Sequence, residues 1–141
     1  MSVLKVLIVE DSRATREMLA AAVQAVGTVE VHTAVSGFEA LKVLPRHRFA
    51  LIVTDINMPD INGLELVNFI RKSEHHRATP LIIVSTQAGE RDRLRGIALG
   101  ADAFIAKPFE PEDLRDLVVA FLTRGRRSNP GRPSGAPPSS T

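Results

Sequence analysis

Cysteine, tryptophan and tyrosine are all absent from this 141-residue chain, and aromatic residues make up only 4% of it. Without cysteine there is no disulfide framework, no zinc–thiolate site and no thiol nucleophile, which agrees with a reducing compartment. Without Trp or Tyr, the usual stacking platforms for single-stranded nucleic acid are missing. No apolar run approaches the length of a membrane span. The start, Met1-Ser2-Val3-Leu4-Lys5, has no charged region leading into a long apolar stretch. Neither a signal peptide nor an anchor is therefore expected, a membrane is not expected as a partner, and the expected location is the cytoplasm.

What is present suits one globular domain: 44% of the residues are hydrophobic, and the length is too short for two comfortable cores. The net charge of +2 is uneven. Residues 124–141 hold Arg124, Arg126, Arg127 and Arg132 and no acid, which leaves 14 basic against 16 acidic side chains in residues 1–123. The basic balance belongs to the tail, so it is not a nucleic-acid footprint on the folded part. The tail is rich in Pro, Gly, Ser and Arg with almost no apolar residue. Such a segment cannot bury enough surface to offset its ordering entropy, and 124–141 is read as disordered, after a folded domain over 1–123.

Four short apolar runs recur: Val6-Leu7-Ile8-Val9, Ala50-Leu51-Ile52-Val53, Leu81-Ile82-Ile83-Val84 and Ala103-Phe104-Ile105-Ala106. They suit strands buried on both faces of a parallel sheet. Val29, Val31 and Thr33 alternate with Glu30 and His32, the pattern of a half-exposed edge strand. Helical patterns lie between these runs. One covers 13–26 and stops at Gly27. Ser36 with Glu39 forms a capping box for the next, which Pro45 closes. Asn62 and Glu65 open a third, residues 90–99 form a fourth that ends at Gly100, and Pro111 begins the fifth. The fivefold βα alternation predicts a doubly wound α/β fold, a five-stranded parallel sheet with five helices and strand order 2-1-3-4-5.

In sheets of this kind generally, ligands bind beyond the carboxyl ends of the strands. The first strand is followed by Glu10-Asp11, the third leads into Asp55, the fourth into Ser85 and the fifth into Lys107. Three carboxylates, a hydroxyl and an ammonium thus meet at one end of one sheet. Two unit charges about 4 Å apart repel by roughly 4 kcal/mol at an effective dielectric near 20. Either one carboxylate is protonated or a cation sits among them. Hard oxygen ligands with open positions favour Mg²⁺, with Mn²⁺ as a substitute. Lys107 and Ser85 can hold phosphoryl oxygens, and Asp55, in the central strand, fits the remaining role of nucleophile.

In register along this pattern stand Val9-Glu10-Asp11-Ser12, Asp55-Ile56-Asn57-Met58-Pro59 with Gly63, Val84-Ser85 and Lys107-Pro108-Phe109. Over residues 3–123 the chain resembles the receiver domain of two-component response regulators, and most closely the single-domain, CheY-like class with its flavodoxin-like fold. The resemblance implies that Asp55 is the phosphoacceptor for a histidine kinase. It implies Mg²⁺ ligation by the carboxylates of Asp11 and Asp55, by the Asn57 backbone carbonyl, and by Glu10 through water. Lys107 contacts phosphate, with a cis peptide before Pro108. Ser85 and Phe104 form the switch that alters the face of the fourth helix, fifth strand and fifth helix, where a downstream target binds. Such a protein is a phosphoacceptor that assists its own phosphorylation and dephosphorylation rather than an enzyme with turnover. A monomer is expected, with a dimer as the alternative, and a role in chemotaxis or motility is one expectation.

Two departures fall within the core pattern: Glu10 stands where many members have Asp, and Thr86 follows Ser85 where Ala or Gly is usual, adding bulk near Asp55. Taken singly, the same residues have plainer readings. Glu10 and Asp11 can cap the first helix, Ser85 can end a strand, and Lys107 can be solvated. Phe104 reads as core, Gly63 as turn geometry, and His75-His76 as a solvated pair near the end of the third helix. Three further functions compete: a relay that passes the phosphoryl group to another histidine, a phosphorylation-independent scaffold, and a Mg²⁺-dependent phosphatase. The last usually has a second carboxylate two residues after the nucleophile, where this chain has Asn57. Nucleic acid is the least expected partner, because Arg91, Arg93 and Arg95 form no single helical face.

Overall fold

The computed structural model describes residues 3–86 and 90–125. Along the chain these form β1 (Leu4–Val9), α1 (Arg13–Gln24), β2 (Val29–Ala34), α2 (Gly37–Val43), a 3₁₀ turn (Leu44–Arg46) and β3 (Leu51–Asp55). Then follow α3 (Gly63–Lys72), β4 (Leu81–Ser85), α4 (Glu90–Leu99), β5 (Ala103–Ala106) and α5 (Pro111–Arg124). The five strands are parallel in the order β2-β1-β3-β4-β5, the predicted topology. The reversal of strand order between β1 and β3 opens the crevice into which Glu10, Asp11 and Asp55 project.

The sheet separates two apolar layers. On one face Leu7, Val9, Ile52 and Ile83 pack with Ala40, Leu66, Val67 and Ile70 of α2 and α3. On the other, Val6, Ile8, Val53 and Val84 pack with Leu19 and Val23 of α1 and Leu114, Val118 and Phe121 of α5. Strands β3 and β4 are buried at every residue, as continuous apolar runs require. The fourth run does not follow that expectation: β5 is half-buried throughout, because it is the second edge of the sheet.

Local signals act largely as read. Asn62 and Glu65 complete a reciprocal capping box on α3. At α2 the Ser36 hydroxyl accepts from Glu39 N, but the Glu39 carboxylate reaches Val35 N rather than Ser36 N. Pro45 does not end the chain's turning; it sits inside the 3₁₀ turn that extends α2. Helix α5 includes Arg124, one residue past the expected boundary, and residues 126–141 of the expected tail lie outside the described residues. No helix among the described residues is long and apolar enough to cross a membrane.

Candidate functional site

Each group of the site is delivered by the end of a strand. β1 hands over to Glu10 and Asp11, and α1 then starts at once because the Ser12 hydroxyl accepts from Thr15 N at 3.4 Å. Arg16, one turn into α1, reaches back to donate to the carbonyl oxygens of Glu10 (3.0 Å) and Asp11 (3.4 Å) and so ties down the β1–α1 loop. β3 ends on Asp55, and Gly63 N donates to the Ile56 carbonyl at 2.8 Å. A Cβ on Gly63 would lie 2.1 Å from the Asp55 carbonyl oxygen. Gly63 is therefore needed for close backbone approach rather than for a turn, and it sets α3 directly behind the candidate nucleophile.

The carboxylates converge. Single oxygens of Glu10, Asp11 and Asp55 all lie within 4.8 Å of one another, and no other such group of three occurs among the described residues. Glu10 and Asp55 are 1% and 5% exposed, while Asp11 is exposed. Lys107 Nζ lies 3.0 Å from Glu10 Oε1 and 3.8 Å from Asp55 Oδ2, so one ammonium serves both buried carboxylates. The second Glu10 oxygen accepts from Ser12 N at 3.0 Å, and Asp55 Oδ1 accepts from Ile56 N at 2.8 Å.

Burial pushes the Glu10 carboxyl above its ordinary range, against the Ser12 N–H and Lys107; nearby Asp55 pushes it the same way. Burial likewise pushes Asp55 up. The Lys107 charge and the N–H groups of Asn57 and Ile56 oppose the rise, and Asp11 adds to it. Three carboxylates against one ammonium leave the crevice short of positive charge. The donor set, three hard carboxylates at the mouth of an open crevice, fits a divalent ion such as Mg²⁺.

The remaining predicted residues take distinct places. Ser85 is fully buried at the end of β4, paired in register with Ala106, and its carbonyl accepts from Lys107 N at 2.8 Å. The Lys107–Pro108 peptide is cis, as expected. Asn57 and Thr86 are exposed on the loops after β3 and β4. Phe104 is not full core. It is half-buried on the edge strand, packed against the layer under α3 and close to the backbone of α4 at Gly96.

His76 overturns its reading as a solvated residue. It is 1% exposed, its Nε2 lies 2.7 Å from the Leu44 carbonyl oxygen, and its Nδ1 lies 3.4 Å from Thr79 Oγ1; His75 is exposed. The tie joins the turn after α2 to the loop after α3 across 32 residues, a separation that a local pattern does not reveal.

Sequence reasoning also missed Asp60. Its carboxylate accepts from Gly37 N (3.2 Å), Phe38 N (2.8 Å) and Ile61 N (2.7 Å). These bonds clasp the Asn57-bearing loop to the start of α2 and hold the Asp60 carboxyl down at about 2. An acid after Met58-Pro59 facing the uncapped N–H groups at 37 and 38 was the available signal.

Known proteins resemble this chain in sequence and in fold. The sequence model described as the response regulator receiver domain matches residues 6–119. The chain is 32% identical over 123 residues to a chemotaxis protein CheY homolog of Campylobacter jejuni, covering 86% of this chain and 95% of that protein. It is 30% identical over 126 residues to the response regulator Rre1 of Synechocystis, covering 89% of this chain but only 54% of that longer protein. The structure of the chemotaxis response regulator CheY4 of Vibrio cholerae superposes with a TM-score of 0.77 at 34% identity, covering 84% of this chain and 98% of that one. Sequence, topology and the acidic crevice agree: the chain belongs to the CheY-like response regulator receiver family.

Proposed function

We propose that this chain is a phosphorylation switch in which Asp55 takes a phosphoryl group from a phosphohistidine of a histidine kinase. The observation that carries the reading is the convergence of Glu10, Asp11 and Asp55 with Lys107 reaching across them. A carboxylate oxygen of Asp55 forms the new O–P bond as the P–N bond to the donor imidazole breaks. The electron pair leaves with that nitrogen, which takes up a proton. Asp11, Asp55 and the Asn57 carbonyl, with Glu10 acting through water, are the residues to hold Mg²⁺, which when bound offsets the charge of the incoming phosphoryl oxygens. Lys107 pairs with one phosphoryl oxygen as a point charge. The Ser85 hydroxyl donates a hydrogen bond to another by turning toward Asp55.

The switch reading rests on where Phe104 and α4 lie. Phe104 pairs in register with Ile83, two residues before Ser85 in β4. In α4 only Gly96 is buried, while Leu94 and Ile97 are exposed. A shift at Ser85 and Phe104 therefore meets the least anchored helix of the domain, and the α4, β5 and α5 face is the proposed target surface. The names of the Campylobacter and Vibrio relatives favour chemotaxis as the setting. The proposed activity is self-assisted phosphoacceptance without turnover of an external substrate, in the cytoplasm. A relay to a second histidine and a phosphorylation-independent scaffold are the competing roles.

The test is incubation with Mg²⁺ and a small acyl phosphate, read by intact mass. The wild type gains one acid-stable, base-labile phosphoryl group, and the gain disappears in Asp55→Asn and on chelation. A gain that survives in Asp55→Asn would reject this assignment, and partner binding unchanged in both Asp55→Asn and Asp55→Glu would favour the scaffold.

A further inference from the structure

The amino-terminal end of the sheet, far from Asp55, carries charge of the other sign. Five residues of β3 separate the two ends, roughly 15 Å at the rise of a strand. Two short segments meet at the amino-terminal end: Pro45–Ala50 after α2, and Ser73–Pro80 after α3. In residues 40–50 and 71–80 the only acidic residue is Glu74, against Lys42, Arg46, Arg48, Arg71, Lys72 and Arg77.

Part of this charge has a plain structural cause. Lys42 and Lys72 lie in the last turns of α2 and α3, where cations complement the helix dipole. Arg71 turns inward: it pairs with buried Asp102 at 2.9 Å and donates to the Gly100, His76 and Arg77 carbonyls at 2.8–3.2 Å. Arg46 ends the 3₁₀ turn that extends α2 and shares the first cause; neither cause covers Arg48 and Arg77. All three are exposed, and among the described residues none has a side-chain hydrogen bond or ion pair.

We propose that Arg46, Arg48 and Arg77 form a docking surface for a carboxylate-rich segment of a partner protein. The surface is held ready rather than floppy. The His76–Leu44 bond locks one loop to the other. Arg71 fixes the carbonyls of His76 and Arg77, while Arg77 N donates to Ser73 O at 2.9 Å and Thr79 N to His76 O at 3.1 Å. A preorganised backbone reduces the ordering cost of binding, and the guanidinium fork matches a carboxylate bidentately. The positive field is already felt by the imidazoles beneath. Burial holds His47 below its ordinary range, with the charges of His32, Lys5 and Arg46 adding to the effect. Burial does the same to His76, with His75 and Arg48 adding.

The chemistry favours an acidic protein over the other polyanions. Seating on a lipid surface calls for apolar side chains among the cations, and no exposed large apolar residue lies in 44–49 or 73–80. Nucleic acid is gripped by stacking platforms or by a helix or ribbon in a groove; here the arginines sit on loops and at the end of a 3₁₀ turn, and the chain has no Trp or Tyr.

The experiment titrates the full chain into a labelled oligoglutamate peptide and follows fluorescence anisotropy at low and moderate salt. Arg46→Glu/Arg48→Glu/Arg77→Glu should bind roughly tenfold more weakly or worse, with a shallower salt dependence, while still accepting phosphate at Asp55. Arg126→Glu/Arg127→Glu, which reverses charge in the tail, should bind within about twofold of wild type. If the triple reversal does not fold, Arg48→Gln/Arg77→Gln removes charge without reversing it and should still weaken binding severalfold. Unchanged affinity in the loop variants, or loss confined to the tail variant, overturns the proposal. So does arginine-dependent binding of duplex DNA or phosphatidylserine vesicles that is tighter than that of the peptide.

Discussion

The two ends of the sheet bury ionisable groups in the same way and with opposite results. At the carboxyl end burial raises Glu10 and Asp55; at the amino end burial lowers His47 and His76. Both shifts favour the neutral form. No buried side-chain nitrogen or oxygen among the described residues lacks a hydrogen-bond partner, so hydrogen bonding does not distinguish the ends. Charge balance does. Burial favours the neutral form of His76, which is bonded at both ring nitrogens and complete as part of the scaffold. Glu10 and Asp55 share the Lys107 ammonium, and with Asp11 beside them the cluster stays short of positive charge. A buried polar group that is satisfied and neutral builds structure, whereas a buried cluster with unbalanced charge is built to receive something.

The comparison can be broken most severely at Gly63. Gly63→Ala puts a methyl group against the backbone of Asp55, which cannot yield as a flexible side chain would. A loss of about 3 kcal/mol in urea denaturation is expected, together with slower phosphoryl uptake. An unchanged midpoint would mean that α3 does not press on the Asp55 strand as described.

The pH dependence sharpens the contrast next. The raised carboxyls contribute stability that is full below their unfolded values of 3.8 and 4.5 and is lost as pH rises through their folded values. The lowered imidazoles contribute stability that is full above 6.5 and is lost as pH falls from there toward their folded values. The two ends therefore oppose each other in mild acid. As pH falls from 7, thermal melts of His76→Gln should lose less stability than wild type, and those of Asp55→Asn should lose more as pH falls on toward 3.8. Parallel curves for all three proteins would remove the contrast.

The smallest expected effect belongs to Asp60→Ala. Because the Asp60 carboxyl is held near 2, its contribution is present above 3.8 and lost as pH falls from there. The variant should melt slightly below wild type at neutral pH, and the gap should close as pH falls toward 2. A gap that persists in acid would point to packing rather than to the clasp on α2.

Much of this was legible because it is local or periodic. Fully apolar runs gave the central strands, the alternation at Val29–Thr33 marked an edge, and the strand-end residues Glu10, Asp11, Asp55 and Lys107 met as expected. What stayed hidden depends on partners distant in the chain. Phe38 and Asp60 are 22 residues apart, Arg71 and Asp102 are 31 apart, and His76 and Leu44 are 32 apart. None of these pairs leaves a periodic trace, and a histidine beside another histidine reads as surface until the carbonyl above it is known. The half-exposure of β5 followed from the predicted strand order itself, since the last strand in that order has one neighbour only.

Helix α4 meets the sheet through a glycine. A Cβ at Gly96 would sit 2.7 Å from Ile83 Cδ1 and 3.9 Å from the Phe104 ring, so the helix leans on the core with bare backbone there, and Leu99 at its end is the half-buried side chain it packs against the same layer. A helix seated this way can roll about that point while only Leu99, at its far end, has packing to give up. Its reorientation carries little penalty in lost packing, and the residue that costs α4 about 1 kcal/mol of helix propensity leaves it free to act as a pivot.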